Sequence, residues 1–527
     1  MNRPVQLARN GAPLALSPSK TRKHFILLIC CVSLFMNYLD STILNVALPT
    51  LQHAFNADEA ALQWIVDSFL LVLTCLLILA GSLADRLGSR RILVTGLAIF
   101  VIGSYGCSVS GDIVQLVFAR MLAGVGGAML VPTTLSILRN TFTNRKDLAR
   151  AIGIWSGVYG IACACGPLIG GVLIDNTGWR SIFLVNIPVG LIGIVFALIF
   201  IPDFVSDRPR AIDLKGQVLL VIVLGLLISS IIEAPNYGWT SPSIILGFVA
   251  TALTFLLFLR VEGRQAEPLL EVRFFSNRAF AGTNVLAVIT FILMSGFLFL
   301  NTMYLQLVRG FSAFRAGLFT LPLMVAIAIC APISGRYLSA HGPKMAMITS
   351  APLAMSANIM LLFTGPSTRV WYLFIAYVLL GGSLGVVNPT ITHTSVASMP
   401  AEQAGVASAI TSTSRQIGSA LGVAVLGSVV VTSLHHEIIP RLTKLQLSTI
   451  LQARVARSGI GALSQHFGRS TYPIHQVADA SYSAALHSAW WIGVALCGVW
   501  FLVARNTTTA AALEQAHASG DDRYQER

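Results

Sequence analysis

The sequence predicts an all-α integral membrane fold of two six-helix bundles plus two linking transmembrane helices, and three observations carry that prediction. Only 11% of the 527 residues are charged while 55% are hydrophobic, and the mean hydropathy is +0.75. Apolar stretches of about twenty residues, the length of one helical crossing of a bilayer, recur along the chain. Two short motifs of the first half return at matching places in the second. A soluble domain would carry roughly 25% charged residues, so a soluble enzyme is excluded at the outset.

Fourteen spans follow in order, near 25–48, 62–84, 92–110, 113–136, 151–174, 181–201, 215–233, 242–260, 280–304, 316–339, 345–364, 370–393, 404–432 and 484–504. The first begins after Lys23, carries Asp40 and lacks a small-residue cleavage site. It also exceeds the roughly 7–15 apolar residues of a signal peptide, so it reads as a true span. The formal net charge of +13 reflects the bias of Lys and Arg toward cytoplasmic loops, and no basic, aromatic-interleaved face suggests nucleic acid. With a cytoplasmic N-terminus, the short outside loops hold only Arg180, Arg309, Arg315 and Arg369, against twenty Lys and Arg in the tail and inside loops. Both termini are therefore expected in the cytoplasm of a multi-pass protein of the inner or plasma membrane.

The expected organisation is a cytoplasmic tail at 1–24, a six-helix bundle at 25–201, a linker with two spans at 202–279, a second bundle at 280–504 and a tail at 505–527. A long extracytoplasmic loop occupies 433–483, with Pro440 to Ser458 as an amphipathic surface helix or, the favoured reading, part of a solvated insertion. All eight cysteines fall in apolar segments, and Cys163-x-Cys165 has no second ligand pair, so neither disulfides nor a metal site is expected.

Gly81-Ser-Leu-Ala-Asp85-Arg86-Leu-Gly88-Ser-Arg90 returns, weakened, as Gly335-Arg-Tyr-Leu-Ser339-Ala340-His-Gly342-Pro-Lys344. Each copy follows the second span of a six-span block. The fourth spans also match, Ala119-Arg120 through Gly124 to Pro132 against Ala376-Tyr377 through Gly381 to Pro389. Repeated halves with a binding site between them at mid-membrane characterise secondary transporters, in which one half rocks against the other.

Five ionisable residues fall within or at the end of spans: Asp40, Asp67, Arg120, Glu233 and Arg415. At roughly 2.5–3.5 kcal/mol each at mid-bilayer, such a set needs pairing or a function. Asp40, Asp67 and Arg120 share the outer half of the first bundle, within reach of a common network. They suggest a proton site tuned by the arginine; the competing reading is a static Asp–Arg pair that only ties helices together. Arg415, near mid-depth in the second half, faces either cargo or a backbone carbonyl. Span five carries Gly153, Gly157, Gly160 and Gly166-Pro167-x2-Gly170-Gly171, a run suited to close helix approach and a bend at a moving interface. By position, Asn37, Tyr38, Trp64, Trp155, Asn301, Tyr304, Asn388 and Arg415 are candidates to line a cavity.

These strings together resemble the major facilitator superfamily over essentially the whole chain. Gly81 to Arg91 is similar to its loop 2–3 signature. Leu39-Asp40-Ser-Thr42 through Asn45 to Pro49 resembles the first-span signature of its drug:proton antiporters, and Gly160 to Gly171 their span-five motif. Arg120 with Gly124 matches the span-four motif. Gly178-Trp179-Arg180 through Phe183, Asn186 and Pro188 to Gly190, Arg415-Gln-x-Gly418 through Gly422 to Ala424, and Trp64-x2-Asp67 all resemble the fourteen-span group, which includes exporters of quaternary ammonium compounds. The resemblance implies that Asp40, Asp67 and Arg120 serve proton coupling, and that Gly81, Asp85, Arg86, Gly88 and Arg90 form a conformational latch between the bundles. It implies no cofactor beyond the proton. Two departures stand out: Ser339 and Ala340 replace the acid and arginine of the first loop, and span ten lacks an acid found in some exporters of multivalent cations.

The expected activity is proton-coupled export of small, mostly apolar or cationic compounds; import of a nutrient by symport is the alternative, disfavoured by Gly166-Pro167. No G-x4-G-K-[ST] loop, H-E-x-x-H or G-x-S-x-G elbow marks an enzyme. The expected partners are a small-molecule substrate and the lipid bilayer, with the protein acting as a monomer and a periplasmic adaptor left open.

Overall fold

The computed structural model describes residues 20–204, 213–265, 272–399, 404–444 and 472–519. The first half comprises α1 (Lys20–Phe55), α2 (Glu59–Leu87), α3 (Ser89–Val109), α4 (Ile113–Thr141), α5 (Arg145–Thr177) and the broken pair α6 (Ser181–Leu184) and α7 (Asn186–Phe200). Two linking helices follow, α8 (Leu214–Tyr237) and α9 (Pro242–Glu262). The second half comprises α10 (Arg278–Met303) with a π-helical turn at Tyr304–Val308, α11 (Ala313–Leu361), α12 (Val370–Ala397), α13 (Ala404–Lys444) and α14 (Tyr472–Ser519). Among the described residues, thirteen helices are long and apolar enough to cross a membrane. The fourteenth expected span, 345–364, is the second arm of α11, beyond a break at Gly342. Pro352 and Asn358 lower the apolarity of that arm.

Two of the expected boundaries move. Helix α13 runs well beyond residue 432 to Lys444, and α14 begins at Tyr472 rather than near 484. The middle of the 433–483 loop and both chain ends lie outside the described residues.

The repeat is visible in the backbone. Gly88 and Gly342, which occupy the same place in the two copies of the loop motif, both turn the chain with positive φ, 101° and 76°. An L-residue with a side chain adopts that conformation only under strain, so glycine is retained in a copy that has otherwise drifted. The fourth spans match as well. A Cβ at Gly124 would lie 2.8 Å from the carbonyl of Phe69 on α2, and one at Gly381 would lie 2.3 Å from the carbonyl of Leu323 on α11. Glycine lets the fourth and second spans of each half approach backbone to backbone.

The linking helix α8 packs against α9, α2 and α13. Gln217 Nε2 donates to the carbonyl of Cys75 on α2, and Trp64 Nε1 of α2 donates to Glu233 Oε1 at 2.9 Å. Toward α13, Ser428 Oγ donates to the carbonyl of Ile231 at 2.8 Å, and Trp239 Nε1 donates to Thr432 Oγ1 at 3.0 Å. Helix α9 is outermost, presenting exposed Leu246, Leu253 and Leu256 that a bilayer would cover.

The halves meet tightly at one end only. Chain direction puts the N-terminus and the α2–α3 loop at one face and the α1–α2 and α5–α6 turns at the other, here called the far face. On α5, Gly153, Gly157, Gly160, Pro167 and Gly171 share one stripe by helical phase. At the far face this stripe touches α11: a Cβ on Gly171 would stand 2.3 Å from Phe314 Cα, and one on Gly317 would stand 2.3 Å from the Pro167 carbonyl. Toward the opposite face, no atom among the described residues lies within 4 Å of a Cβ added at Gly153, Gly157 or Gly160. The same holds at Gly335, which lies 18 residues beyond Gly317 on the same line of α11, about 27 Å along it at 1.5 Å per residue. Phe314 N–H donates to Asp175 Oδ2 at 3.2 Å and Gln306 Nε2 to the Val46 carbonyl at 2.8 Å, both at the far face. The molecule is thus closed at the far face and splayed at the face bearing the loop motif.

Gly171→Leu should wedge the closed seam. Spin labels at Asn176 and Ser367 are expected to move apart in the variant, and thermal unfolding to reflect an overpacking cost of about 1–3 kcal/mol. Unchanged distances would mean that α5 and α11 do not hold this face shut.

Candidate functional site

A cavity of about 220 Å³ lies between the two halves, walled by α1, α2, α4 and α5 on one side and α10 and α13 on the other. Its first-half wall includes Tyr38, Asn45, Leu70, Val131 and Trp155; its second-half wall includes Phe291, Met294, Ser412, Arg415, Gln416 and Ser419. Trp155 is held by its Nε1, which donates to Thr134 Oγ1 at 3.1 Å. Arg415 Nη2 donates to the Asn388 carbonyl at 3.1 Å and to Thr392 Oγ1, and its guanidinium lies 5.7 Å from the Phe291 ring centre. Of the two sequence readings of Arg415, the backbone carbonyl is therefore realised, and the residue lines the cavity as well.

The other cavity candidates divide. Tyr38 and Trp155 line the space. Asn37 is fully buried toward α4, where a Cβ on Gly127 would touch its Oδ1. Trp64 turns to Glu233 on α8. Asn301 Nδ2 donates to Thr320 Oγ1 at 3.1 Å inside the second half, and Tyr304 OH donates to the Gly365 carbonyl at 2.7 Å near the far face. Asn388 enters through its backbone carbonyl alone. Asn37, Trp64, Asn301, Tyr304 and Asn388 are not in the cavity wall. Tyr304 lies too near the far face, and Trp64 and Asn301 turn around their helices to other neighbours.

Behind the α1 wall of the cavity, the first half buries a charge cluster. Arg120 of α4 forms an ion pair with Asp40 of α1 through Nη1 and Oδ2, both residues being 1% exposed. Arg120 Nε donates to the Ile65 carbonyl of α2 at 3.3 Å, and its Cζ stands 4.4 Å from the centre of the Phe69 ring. The second Asp40 oxygen accepts from Asn186 Nδ2 at 2.9 Å, and the same amide reaches Ser104 Oγ at 3.4 Å. Helices α1, α2, α3, α4 and α7 thus converge on one carboxylate. Asn186 and Ser104 were not singled out from the sequence for this role, although Asn186 sits in one of the strings that narrowed the resemblance.

Asp67 does not join this cluster. It is fully buried, and neither carboxyl oxygen has a hydrogen-bond partner among the described residues. It lies one helical turn from Gln63 on the same stripe of α2. Gln63 Oε1 accepts from Ser428 Oγ of α13 at 3.2 Å, and a Cβ on Gly427 would stand 2.8 Å from the Gln63 amide. Asp67 therefore lies on the stripe that meets the second half. The expected common network separates into a bonded pair and a lone carboxyl.

In the second half, the residue aligned with Arg120 is Tyr377, and its hydroxyl donates to Asn301 Oδ1 of α10. The fourth and first spans of each half are thus tied in the half nearer the far face, by charges in one copy and by neutral groups in the other.

The loop motif is clamped to its own half. Arg91 Nε pairs with Asp203 Oδ2 at 2.8 Å, Ser89 N–H donates to the Phe204 carbonyl at 3.0 Å, and Arg90 Nη1 reaches the Ile201 carbonyl at 3.4 Å. A Cβ on Gly88 would stand 2.2 Å from the Asp203 carboxyl. Asp85 is half-buried and Arg86 exposed at the end of α2, while Gly81 faces Pro132 of α4, whose Cβ lies 3.6 Å from an added Cβ. In the span-five motif, Gly166 and Gly170 lie against Thr42 and Ile43 of α1, Pro167 and Gly171 against α11, and Gly160 faces open space.

Asp40→Ala should destabilise the protein by about 3–5 kcal/mol, because it strands a buried guanidinium. Removing both partners in Asp40→Ala/Arg120→Ala should recover part of that loss. Thermal unfolding in detergent measures both, and equal losses in the single and double variants would dissolve the pair as an energetic unit.

The Major Facilitator Superfamily model matches residues 30–423. The multidrug resistance protein Stp of Mycobacterium tuberculosis is 35% identical over 413 residues, covering 78% of this chain and 77% of that one. The tetracenomycin C resistance and export protein of Streptomyces glaucescens is 38% identical over 408 residues, covering 76% and 74%. Among solved structures, a bacterial homologue of the lysosomal transporter Spinster, in an inward-facing and unoccupied conformation, superposes with a TM-score of 0.67 at 19% identity, covering 94% of this chain and 99% of that one. This chain belongs to the Major Facilitator Superfamily, and its relatives include drug resistance and export proteins.

Proposed function

We propose that this chain is a proton-coupled antiporter that exports small, largely apolar compounds by alternating access, with Asp67 as the proton-carrying group. The drug-resistance relatives support export, and the Lys and Arg distribution supports a cytoplasmic N-terminus. In that orientation the far face is extracytoplasmic and the splayed end opens toward the cytoplasm, the state in which an exporter loads.

The observation that carries the proton assignment is the isolation of Asp67. An ionised carboxyl buried with neither oxygen bonded bears the full cost of its charge, and one proton removes that cost. Because Asp67 lies on the stripe of α2 that meets α13, a dry, closed far face favours its neutral form, and opening that face would admit water to it. Asp40, with both oxygens bonded, acts in this reading as the fixed anchor of the first half. One proton entering across about 150 mV supplies roughly 3.5 kcal/mol, enough for a gradient of a few hundred-fold. The Asp85, Arg86 and Arg90 segment serves as the cytoplasmic latch when that face closes.

The test uses proteoliposomes carrying an imposed pH gradient and a panel of neutral, cationic and anionic dyes. Wild type is expected to release protons when a transported dye is added, and a protonophore to stop dye accumulation. Asp67→Asn should abolish proton release while dye still binds. Coupled transport surviving in Asp67→Asn but lost in Asp40→Asn would move the proton site to Asp40, and accumulation indifferent to the protonophore would end the antiport reading.

A further inference from the structure

Asp67 is the innermost of three polar residues spaced evenly along α2. Glu59, Gln63 and Asp67 follow at four-residue steps, so they share one stripe, each about 6 Å from the next along the axis. All three are buried, at 6%, 0% and 0% exposure. Each leaves polar atoms without a hydrogen-bond partner among the described residues: Glu59 Oε1, Gln63 Nε2 and both oxygens of Asp67. Gln52, near the end of α1, is 2% exposed and unbonded through both atoms of its amide, and it stands beside the Glu59 carboxyl. Native interiors pair nearly all their buried polar groups, so four such side chains in one place need a reason.

Glu59 alone has an ordinary explanation, since a negative charge suits the first turn of a helix. An exposed residue serves that role equally well, and the role says nothing of Gln63 or Asp67. The column starts at the far face and runs inward about 12 Å from Glu59 to Asp67. Its cover comes from the second half. Tyr482 of α14, 1% exposed, lies near enough to Glu59 to interact with its charge, and Gly427 and Ser428 of α13 sit against Gln63. Parting the halves at the far face therefore uncovers the column and releases the Gln63 amide from Ser428.

Of the other ionisable groups on the surrounding elements, Asp58 shares the turn of Glu59 and acts on its charge. Glu233 of α8 is bonded to Trp64, and Arg120 of α4 to Asp40 and the Ile65 carbonyl. His53 of α1, His435 and Glu437 of α13 and Asp479 of α14 lie farther out by their positions on those helices.

We propose that Glu59 and Gln63 form the route by which protons reach Asp67 from the far face, with Glu59 as the entry group. This inference rests on the reading of Asp67 as the proton carrier. The Glu59 carboxylate takes a proton from water at that face and passes it inward to the Asp67 carboxylate, returning to its ionised form. Gln63 neither gains nor loses a proton. Its amide, donor and acceptor at once, orients water between two carboxyls that stand too far apart to bond directly.

The experiment follows exchange of the Asp67 proton for deuterium, which needs no transported compound. Infrared spectra of the purified full-length chain in dodecyl maltoside record the carbonyl bands of protonated carboxyls, and the band missing from Asp67→Asn belongs to Asp67. On transfer to heavy water, that band is expected to shift at least tenfold more slowly in Glu59→Gln and in Gln63→Leu than in wild type, with its amplitude unchanged. Glu59→Asp should recover most of the rate. A merely structural role would instead alter the amplitude of the band or the exchange of the backbone amides, read from the same spectra. Should Glu59→Gln fail to fold, Gln63→Leu decides alone. A wild-type exchange rate in either folded variant, or slowing shared by the backbone amides, would overturn the proposal and leave Asp67 as the proton carrier. Failure of the reading beneath it looks different: no carboxyl band would be missing from Asp67→Asn, and both would fall.

Discussion

The contact of α5 with α11 at the far face is made backbone against backbone, and the rest of the arrangement follows from it. With Gly171 against Phe314 and Gly317 against the Pro167 carbonyl, there is no room for side chains to cushion or slide. Packed interfaces of this kind hold one arrangement or another and do not deform continuously. Because the two helices are fixed at one end, every degree of splay between them appears at the other, where the same stripe of glycines faces open space. The cavity lies between those ends, so its size and access depend on a contact between residues that do not themselves line it.

In the proposed mechanism, the buried pair and the lone acid divide the work of the first half. Arg120, Asp40 and Asn186 satisfy one another and draw five helices to a single point, so this half can move as one body. Asp67, a few residues from Ile65 and Phe69, which Arg120 does touch, stands outside that cluster. A carboxyl with no bond to lose is poised to respond to water, and a carboxyl with every oxygen bonded is not.

Much of this was legible in the sequence. Low charge and recurring apolar runs dictated the spans, and the cost of burying ions drew attention to Asp40 and Arg120, which do pair. Depth could be counted from span ends, but direction around each helix could not. That is why Tyr38 and Trp155 reach the cavity while Trp64 and Asn301 turn to Glu233 and Thr320. Asn186 went unassigned because an asparagine at the start of a span carries no energetic alarm, whereas a buried charge does. Gly88 and Gly342 show the opposite case: the aligned glycines anticipated a shared backbone turn even where the residues around them had changed.

The neutral tie between Tyr377 and Asn301 gives the duplication a lopsided character. A phenol and an amide exchange no proton in the pH range of a living cell, so this tie keeps its geometry whatever the acidity on either side of the membrane. Of these two matching ties, only the one in the first half is built from ionisable groups. Symmetry of shape has outlived symmetry of charge: in the proposed mechanism one copy of the repeat works as a transducer, and the other as the abutment it pushes against.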